Sequence, residues 1–235
     1  MRKLIIIPAY NEEGNLPSLL EELKAYQHEY DIVVVDDASR DRSALIARRF
    51  EGVTVIQLAA NLGIGGAVQT GFKYAVTHHY DMAIQIDGDG QHDPIWLEKL
   101  TAPIMRGEAN CVIGSRYMKD NPDRDYKTPF FRRVGMLFSS YILFLASGKR
   151  ITDTTSGLRA LDRQALTFFA TDYPVDHPEA EALLMLLQQG FTIKEIPVKM
   201  RSRQAGQSLF TSLKAVKYPF RVLVGFLGLM IKKKR

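Results

Sequence analysis

The sequence has one cysteine among its 235 residues, so no disulfide bond can form within the chain. This lack excludes the small secreted proteins whose fold depends on disulfides, and it suits a reducing compartment. The single Cys111 lies in the apolar run Cys111-Val112-Ile113. We therefore expect it to be a buried core thiol.

Long hydrophobic runs are also missing. The two most apolar segments, Val134–Gly148 and Val222–Ile231, are shorter than the roughly 20 residues that a helix needs to cross a bilayer. At the N-terminus only Leu4–Ile7 are continuously apolar before Pro8, which is too short for a signal peptide. Lys and Arg flank Val222–Ile231 on both sides, and this favours a helix lying in a membrane interface over a helix packed on the domain.

Charge is moderate but unevenly placed. Hydrophobic residues make up 46% and charged residues 24%, an ordinary globular mixture, and the length suits one α/β domain with an appendage. The net charge of +5 gathers in Arg124–Arg133, Lys194–Arg203 and Lys232–Arg235, which indicates an anionic partner. These clusters lack the interleaved aromatic residues of a stacking platform, so we do not expect nucleic acid to be that partner.

Short apolar strands alternate with segments of helical spacing over the first half of the chain. This βαβα order predicts an α/β fold with a mostly parallel sheet and helices on both faces. Every turn with notable residues follows a strand, so these turns should meet at one edge of the sheet. The predicted strands are Leu4–Ile7, Asp31–Val35, Val53–Leu58, Met82–Ile86, Ala109–Ile113 and Phe191–Met200.

The central turn follows the fourth predicted strand and carries Asp87, Asp89 and Gln91. Residues two apart at a strand end point the same way, and two adjacent carboxylates repel unless a cation lies between them. Mg²⁺ and Mn²⁺ prefer such oxygen ligands and keep open positions for phosphate oxygens. The turn therefore predicts a metal site that holds a diphosphate. The alternative is an Asp-Gly turn with solvated charges.

Two further strand-end turns are candidates for nucleotide contacts. Acidic residues at strand ends bind nucleotide hydroxyls in dinucleotide folds, and we assign that role to Asp37 and a capping role to Asp36. The Gly-rich loop Asn61–Gly66 lacks the lysine of a phosphate-binding P-loop. Its glycines, Gly66 among them, would instead let the backbone approach a flat ligand.

The second half of the chain contributes basic segments. A basic stretch from Arg116 to Arg133 directly precedes the apolar helix predicted over Phe130–Leu145, which favours a ligand with an anionic head and an apolar tail over a solvated face. Arg201, Arg203, Gly206 and Ser208 form another basic loop that could close over a diphosphate, or could be a charged surface loop. The stretch Ile151–Arg163 predicts a polar loop before a helix. The basic residues that we single out in the first of these segments are Arg116, Arg124, Lys127, Arg132 and Arg133.

Five motifs in a fixed order resemble the family 2 glycosyltransferases with the GT-A fold, and within them the polyprenyl-phosphate sugar transferases of the dolichol-phosphate mannose synthase type. The resemblance covers residues 4 to about 210, and the ordered motifs are specific as a set. They are Pro8-Ala9-Tyr10-Asn11-Glu12, Val35-Asp36-Asp37-Ala38-Ser39, Asn61-Leu62-Gly63, Asp87-Gly88-Asp89-Gly90-Gln91-His92 and Gly114-Ser115-Arg116.

The resemblance implies roles for individual residues. It implies a nucleotide site, a Mg²⁺ or Mn²⁺ site and an acceptor-phosphate site, and Asp87, Asp89, Arg116 and Arg132 would carry catalysis. The implied ligands are Pro8, Tyr10, Glu12 and Asp37 for the nucleotide, Arg203 for the donor diphosphate, Asp87, Asp89 and Gln91 for the metal, and Arg116 and Arg132 for the acceptor phosphate.

The expected activity is transfer of a sugar, with inversion, from a nucleotide-diphosphate donor to undecaprenyl phosphate in bacterial cell-envelope glycan synthesis. The stretch Asp176–Glu181 resembles enzymes that use UDP-glucose or UDP-N-acetylglucosamine rather than mannose donors. An alternative is a glycan-extending transferase with a hydroxyl acceptor, which would need a base such as Asp176 or Glu181 and could bury its apolar helices in a homo-oligomer. Another is a nucleotide-sugar-binding subunit without turnover.

The expected organisation is a catalytic domain over residues 1–210, in which the apolar helix 130–148 faces the membrane, followed by a basic amphipathic tail over residues 211–235. The protein would associate peripherally with the anionic cytoplasmic face of the cell membrane. Many members of the resembled family carry membrane spans after the catalytic domain. Because this chain has none, we expect it to work with a small membrane-protein activator.

Overall fold

The computed structural model describes residues 1–118, 120, 130–174 and 178–201, with the backbone alone at 130–132, 135 and 178–179. Several predicted features therefore lie outside the described residues. Among them are the tail 211–235 and the proposed diphosphate ligand Arg203. The others are Arg124, Lys127, Asp176, Gly206 and Ser208, together with the side chain of Arg132.

Within the described residues, the sheet has seven strands in the order β3-β2-β1-β4-β6-β5-β7. All neighbouring pairs are parallel except those of β6, which runs antiparallel to both β4 and β5. The predicted α/β fold with a mostly parallel sheet is thereby confirmed. The strands are β1 (Lys3–Ala9), β2 (Tyr30–Asp36), β3 (Val53–Gln57), β4 (Met82–Gln85), β5 (Cys111–Ser115), β6 (Arg159–Asp162) and β7 (Ile193–Pro197).

Helices cover both faces of this sheet, and short 3₁₀ turns at Lys24–Tyr26 and Pro94–Trp96 extend two of them. Asp93 begins the second of these turns, because its carboxylate accepts the N–H of Ile95 at 3.0 Å. The helices are α1 (Leu16–Leu23), α2 (Ser43–Ala47), α3 (Gly63–Thr77), α4 (Leu97–Met105), α5 (Phe130–Ser147), α6 (Arg163–Thr171) and α7 (Pro178–Gln188).

The central strand β1 is buried on both faces, which explains its continuous apolar sequence. Leu4 and Ile6 point into a core layer with Phe72 of α3, whereas Ile5 and Ile7 point into the opposite layer with α1 and α4. Each large side chain buried in this way stabilises the fold by about 1.5–3 kcal/mol. The core thus fixes the sheet on which the strand-end turns are mounted.

Helix α5 buries one side and exposes the other. Met136 and Leu143 are buried, while the opposite side presents large apolar side chains to solvent. None of the described helices combines the length and the apolar character that a membrane crossing requires. The exposed residues are Val134, Leu137, Tyr141, Phe144 and Leu145.

Two sequence predictions of local structure were wrong. The stretch Ile151–Arg163 is not only a loop, because its last residues form β6 between β4 and β5. Four residues with charges at both ends give too short a pattern to reveal a strand. The glycines from Gly63 onward belong to the first turn of α3 rather than to a loop. A Cβ at Gly66 would overlap the side chain of Leu62, so this glycine leaves room for Leu62 beside the first turn of α3.

Candidate active site

The carboxyl ends of β1, β2 and β4 bring three of the predicted turns to one edge of the sheet. Ala9, the last residue of β1, pairs with Asp36, the last residue of β2, and its carbonyl accepts the N–H of Asp37 at 2.8 Å. A Cβ on Gly88 would lie 3.0 Å from the carbonyl oxygen of Pro8. The turn after β4 therefore runs directly beside the Pro8 motif, as the strand order requires.

Asp37 is buried, and its carboxylate binds the beginning of α3. It accepts the N–H groups of Leu62 at 2.7 Å and Gly63 at 2.9 Å, and the Asn61 amide donates to its carbonyl at 3.1 Å. Burial raises the pKa of Asp37, although these two backbone hydrogen bonds oppose the shift. Asp37 thus joins two of the predicted motifs, and the first turn of α3 depends on it.

Asp36 is fully buried and closes its own turn, where its carboxylate accepts the N–H of Ser39 at 3.3 Å. Its other oxygen, Oδ1, has no hydrogen-bond partner among the described residues. The predicted helix-capping role is therefore wrong, because Asp36 closes a turn at Ser39, whereas α2 begins at Ser43 after Arg42. The remaining oxygen is a buried acceptor at the ligand edge of the sheet.

The turns after β1 and β2 interlock through two residues in the left-handed region. Ala38 has φ of 55°, a conformation that costs an alanine about 1–2 kcal/mol, and Asn11 has φ of 56°, which asparagine adopts more readily. Their turns hold each other, because Asn11 N–H donates to Ser39 Oγ at 3.0 Å and Arg40 N–H donates to Asn11 Oδ1 at 2.8 Å. Such strain persists where the surroundings impose it, and it is common at ligand sites.

The other residues of the Pro8–Glu12 motif lie around these two interlocked turns. Pro8 is buried, whereas Tyr10 and Glu12 are half-buried at the sheet edge. The Glu12 carboxylate accepts the Asn15 amide at 2.5 Å, and its own N–H donates to Ser43 Oγ at 2.8 Å. Glu12 therefore ties the start of α1 to the start of α2.

The central turn holds Asp87 and Asp89, which are both half-buried. The Gln85 amide donates to Asp87 Oδ1 at 3.3 Å, and His92 Nε2 lies 3.5 Å from Asp87 Oδ2. Burial opposes ionisation of Asp87, but the hydrogen bond and charge of His92 outweigh it and hold the pKa of this carboxyl below its ordinary value. A Cβ at Gly157 would overlap the Asp87 carboxylate, so the 152–157 loop presses closely on it.

Asp89 and Gln91 flank the left-handed Gly90, whose φ is 71°. The Asp89 carboxylate accepts the Gln91 N–H at 3.1 Å, which fixes the turn. Within the described residues, no three His, Cys, Asp or Glu side chains form a preformed metal cage. The oxygen donors of Asp87, Asp89 and Gln91 nevertheless fit a hard ion such as Mg²⁺ or Mn²⁺, with ligand oxygens completing its coordination.

Arg116 is buried at the end of β5 and forms a two-point ion pair with the fully buried Asp153. Its Nε and Nη2 atoms lie 2.7 and 2.8 Å from the two carboxylate oxygens, and Nη2 also donates to Thr155 Oγ1 at 2.8 Å. Burial raises the pKa of Asp153, but Arg116 outweighs this effect and lowers it overall. Asp153 was not predicted, although the polar Asp-Thr-Thr-Ser-Gly sequence was the signal.

A second unpredicted cluster lies beside Asp89. Arg201 donates from Nη1 to both oxygens of Glu22 at 2.8 and 2.6 Å, and its Nη2 lies 2.7 Å from Asp93. The sequence marks Arg201 only as part of a basic loop. Of the other predicted residues, Arg132 lies in the first turn of α5, and Glu181 is half-buried in α7.

The chain is similar to known sugar transferases over most of its length. The profile of the Glycosyl transferase family 2 matches residues 4–168. A UDP-N-acetylglucosamine–dolichyl-phosphate N-acetylglucosaminyltransferase of Methanococcus voltae is 35% identical, over 83% of this chain and 84% of that protein. An undecaprenyl-phosphate mannosyltransferase of Micrococcus luteus is 32% identical, over 88% of this chain and 87% of that protein.

Solved structures with the same fold include the glucosyl-3-phosphoglycerate synthase of Mycobacterium tuberculosis in complex with Mn²⁺, UDP and phosphoglyceric acid. Its TM-score is 0.71 at 19% identity, and the match covers 97% of this chain and 78% of that chain. At this identity the likeness establishes the fold, which is of the GT-A type.

Proposed function

The chain belongs to glycosyltransferase family 2, and from this premise we propose that it transfers a sugar from UDP-N-acetylglucosamine or UDP-glucose to undecaprenyl phosphate, with inversion. The resemblance stated from the motifs is confirmed, and the protein is a glycosyltransferase. The single observation that carries the proposal is the Asp87–Gln91 turn, which lies against Pro8 at the carboxyl edge of the sheet. We place the reaction in bacterial cell-envelope glycan synthesis.

The donor would lie along the ends of β1, β2 and β4. Pro8, Tyr10, Glu12 and Asp37 would hold the uridine, and the helix start around Gly66 would border it. A bound Mg²⁺ or Mn²⁺, held by Asp87, Asp89 and Gln91, would supply neutralisation of the charge on the leaving diphosphate. Arg203 would contact the same diphosphate.

The acceptor phosphate is already anionic at neutral pH, so positioning can replace a strong general base. Arg116 would orient the phosphate rather than add net positive charge, because its guanidinium is fixed in place by the two-point pair with Asp153. Arg132, in the first turn of α5, would make the second contact with the phosphate. A buried arginine locked in this way suits an acceptor that must be oriented rather than activated.

The exposed side of α5 would contact the apolar chain of the acceptor. Among the described side chains of α5, five large apolar ones are exposed there, and the solvent-exposed Lys149 and Arg150 follow at the end of the helix. We propose that this side and the basic tail 211–235 rest on the anionic cytoplasmic face of the membrane, as a peripheral association. A small membrane-protein activator or a homo-oligomer would add to this attachment.

The proposal is tested by incubating the purified protein with Mn²⁺, undecaprenyl phosphate and each of a panel of radiolabelled UDP- and GDP-sugars, followed by organic extraction. We expect label in the organic phase with one UDP-sugar, its loss on chelation of Mn²⁺, and its return when Mn²⁺ is restored. Label that stays in the aqueous phase on a hydroxyl acceptor would overturn the lipid acceptor.

Asp89→Ala tests the role of the central turn in the same assay. We expect at least roughly a thousandfold loss of turnover with the fold retained, since the variant removes an oxygen ligand at the site of charge development. Asp81→Ala is the matched control, because Asp81 lies at the opposite end of β4 and binds the Arg2 N–H. Full activity of Asp89→Ala would contradict the metal role.

A further inference from the structure

The segment after β7 lies along the central turn and pairs with it through one isolated β-bridge. Met200 pairs with His92 in an antiparallel bridge, and Arg201 N–H donates to the Gln91 carbonyl at 2.9 Å. The indole N–H of Trp96 donates to the Lys199 carbonyl at 3.2 Å. The backbone of residues 199–201 is therefore bound along the same turn that carries Asp89 and Gln91.

The Arg201 side chain then connects that turn to α1. Glu22 of α1 accepts two hydrogen bonds from Nη1, and Asp93 accepts one from Nε at 3.2 Å while lying 2.7 Å from Nη2. The hydrogen bond to Glu22 is the main cause of a raised Arg201 pKa. Arg201 remains 38% exposed, and exposed pairs contribute only about 0–1 kcal/mol to stability. Stability alone is therefore a weak reason for this arrangement.

The arrangement acts directly on two proposed ligands. The Gln91 amide donates from Nε2 to the Arg201 carbonyl at 3.3 Å, which turns its Oε1 away from Arg201. Glu22, Asp89 and Arg201 line one small cavity. Without the guanidinium, Glu22 and Asp93 would add two uncompensated carboxylates beside Asp89, and these would compete with it for a divalent cation.

We propose that Arg201 is a positioning residue for the donor and metal site: it clamps the central turn to α1 and keeps Glu22 and Asp93 occupied, so that a divalent ion is directed to Asp89 and Gln91. The inference deepens the proposed function and rests on it. Arg201 acts through the turn and has no assigned contact with the sugar or the acceptor.

The test is a charge exchange between Arg201 and Glu22. Arg201→Glu should lower kcat/KM for the UDP-sugar at least tenfold and raise the Mn²⁺ concentration for half-maximal rate at least tenfold. KM for undecaprenyl phosphate should change less than twofold. In the double variant Glu22→Arg/Arg201→Glu, the arginine introduced in α1 can reach both Asp93 and the carboxylate introduced after β7. Both quantities should therefore return to within about threefold of wild type.

Arg106→Glu is the matched control, because Arg106 forms a similar pair with Glu108 at 2.6 Å before the start of β5, at the edge of the sheet opposite the central turn. It should change each kinetic quantity less than twofold. The clamp is overturned if Arg201→Glu behaves like Arg106→Glu, or if the double variant is no better than the product of its single variants.

Mn²⁺ binding to the UDP-loaded protein, followed by electron paramagnetic resonance, separates this inference from the proposed function. Weakened or redistributed Mn²⁺ binding in Arg201→Glu that is restored by the exchange supports the clamp even if no sugar transfer occurs. Unchanged Mn²⁺ binding in Arg201→Glu contradicts the clamp even if the wild type transfers sugar as proposed.

Discussion

The two halves of the sheet hold their carboxylates in different ways. On the β2 side, Asp37 is held by the main-chain N–H groups of Leu62 and Gly63. On the β5 side, Asp153 is held mainly by the guanidinium of Arg116. Both carboxylates are buried, and both lie in loops that border the proposed site.

This difference determines how each half responds to loss of its buried carboxylate. Main-chain N–H groups are neutral and can bind water or another acceptor when the carboxylate is removed. A buried guanidinium keeps its charge, so loss of its partner leaves an uncompensated cation in the interior. Single substitutions of the buried carboxylate should therefore lower stability strongly on the β5 side and only slightly on the β2 side.

Asp153→Asn should produce the largest effect on stability. It removes the charge opposite Arg116 in a buried pair, which typically costs about 3–5 kcal/mol of the free energy of unfolding. Urea denaturation measures that quantity directly. Glu108→Gln, in the exposed pairs with Arg106 and Lys194, is the control and should cost less than about 1 kcal/mol.

The double variant Arg116→Met/Asp153→Leu should recover most of that loss, because two apolar side chains replace the buried charges. If Asp153→Asn lowers the free energy of unfolding no more than Glu108→Gln does, the proposed difference between the two halves is contradicted. That result would mean that the pair is hydrated despite its burial.

Asp37→Ala should have a smaller effect of about 1–2 kcal/mol, the usual cost of removing a helix-capping carboxylate. Hydrogen exchange should accelerate first at the N–H groups of Leu62 and Gly63, while the core of β2 stays protected. Glu51→Ala, on the exposed end of the same β–α–β segment, should change stability by less than about 0.5 kcal/mol. A loss spread evenly over the whole domain would contradict a local capping role.

The same division explains what could be predicted from the sequence. On the β2 side the strands, the turns and the edge at which they meet follow from local periodicity, because each parallel strand is separated from the next by one helix. On the β5 side the chain inserts β6 between β4 and β5, against sequence order. A four-residue strand such as Arg159–Asp162 carries no readable period, so that insertion could not be predicted.

The candidate site divides likewise. Asp37, Asp87 and Asp89 lie in strand-end turns, where the residue type and its place after a strand both indicate a ligand site. Arg116 pairs with Asp153, which is 37 residues away in sequence, and Arg201 pairs with Glu22, which is 179 residues away. Pairings over such separations are set by tertiary packing, which no local pattern encodes. A basic residue in a loop therefore indicates only surface charge until its partner is located.

Ala38→Gly tests whether strain beside Asp37 serves the site. Glycine adopts φ of 55° without the steric cost of alanine, but it loses more backbone entropy on folding, so stability should change by less than about 1 kcal/mol. The UDP affinity should nevertheless fall about threefold, because the interlocked turn becomes less fixed. His79→Gly, at φ of 60° and the opposite end of β4, is the control, and its UDP affinity should stay unchanged. Equal UDP affinities in wild type and Ala38→Gly would show that the strain has no role in binding.

The smallest effect concerns pH, and its sign differs between the two halves. The pKa of Asp37 is raised above its ordinary value near 3.8, chiefly by burial, so the native state binds more protons than the unfolded state just above that value. Its contribution to stability therefore falls as pH rises through this window. The pKa of Asp153 is lowered by Arg116, so its contribution is present above pH 3.8 and is lost as pH falls through the lower native value.

Carbon-13 NMR titration of the aspartate carboxyl groups measures both shifts in one sample, with Asp37→Asn and Asp153→Asn assigning the two signals. We expect the Asp37 signal to titrate above the unfolded-state value and the Asp153 signal below it. Two signals shifted in the same direction would remove the electrostatic basis of the comparison. Opposite shifts would show that backbone N–H groups only reduce the rise in pKa that burial causes, whereas a guanidinium reverses it. The β5 side therefore depends on intact ion pairs.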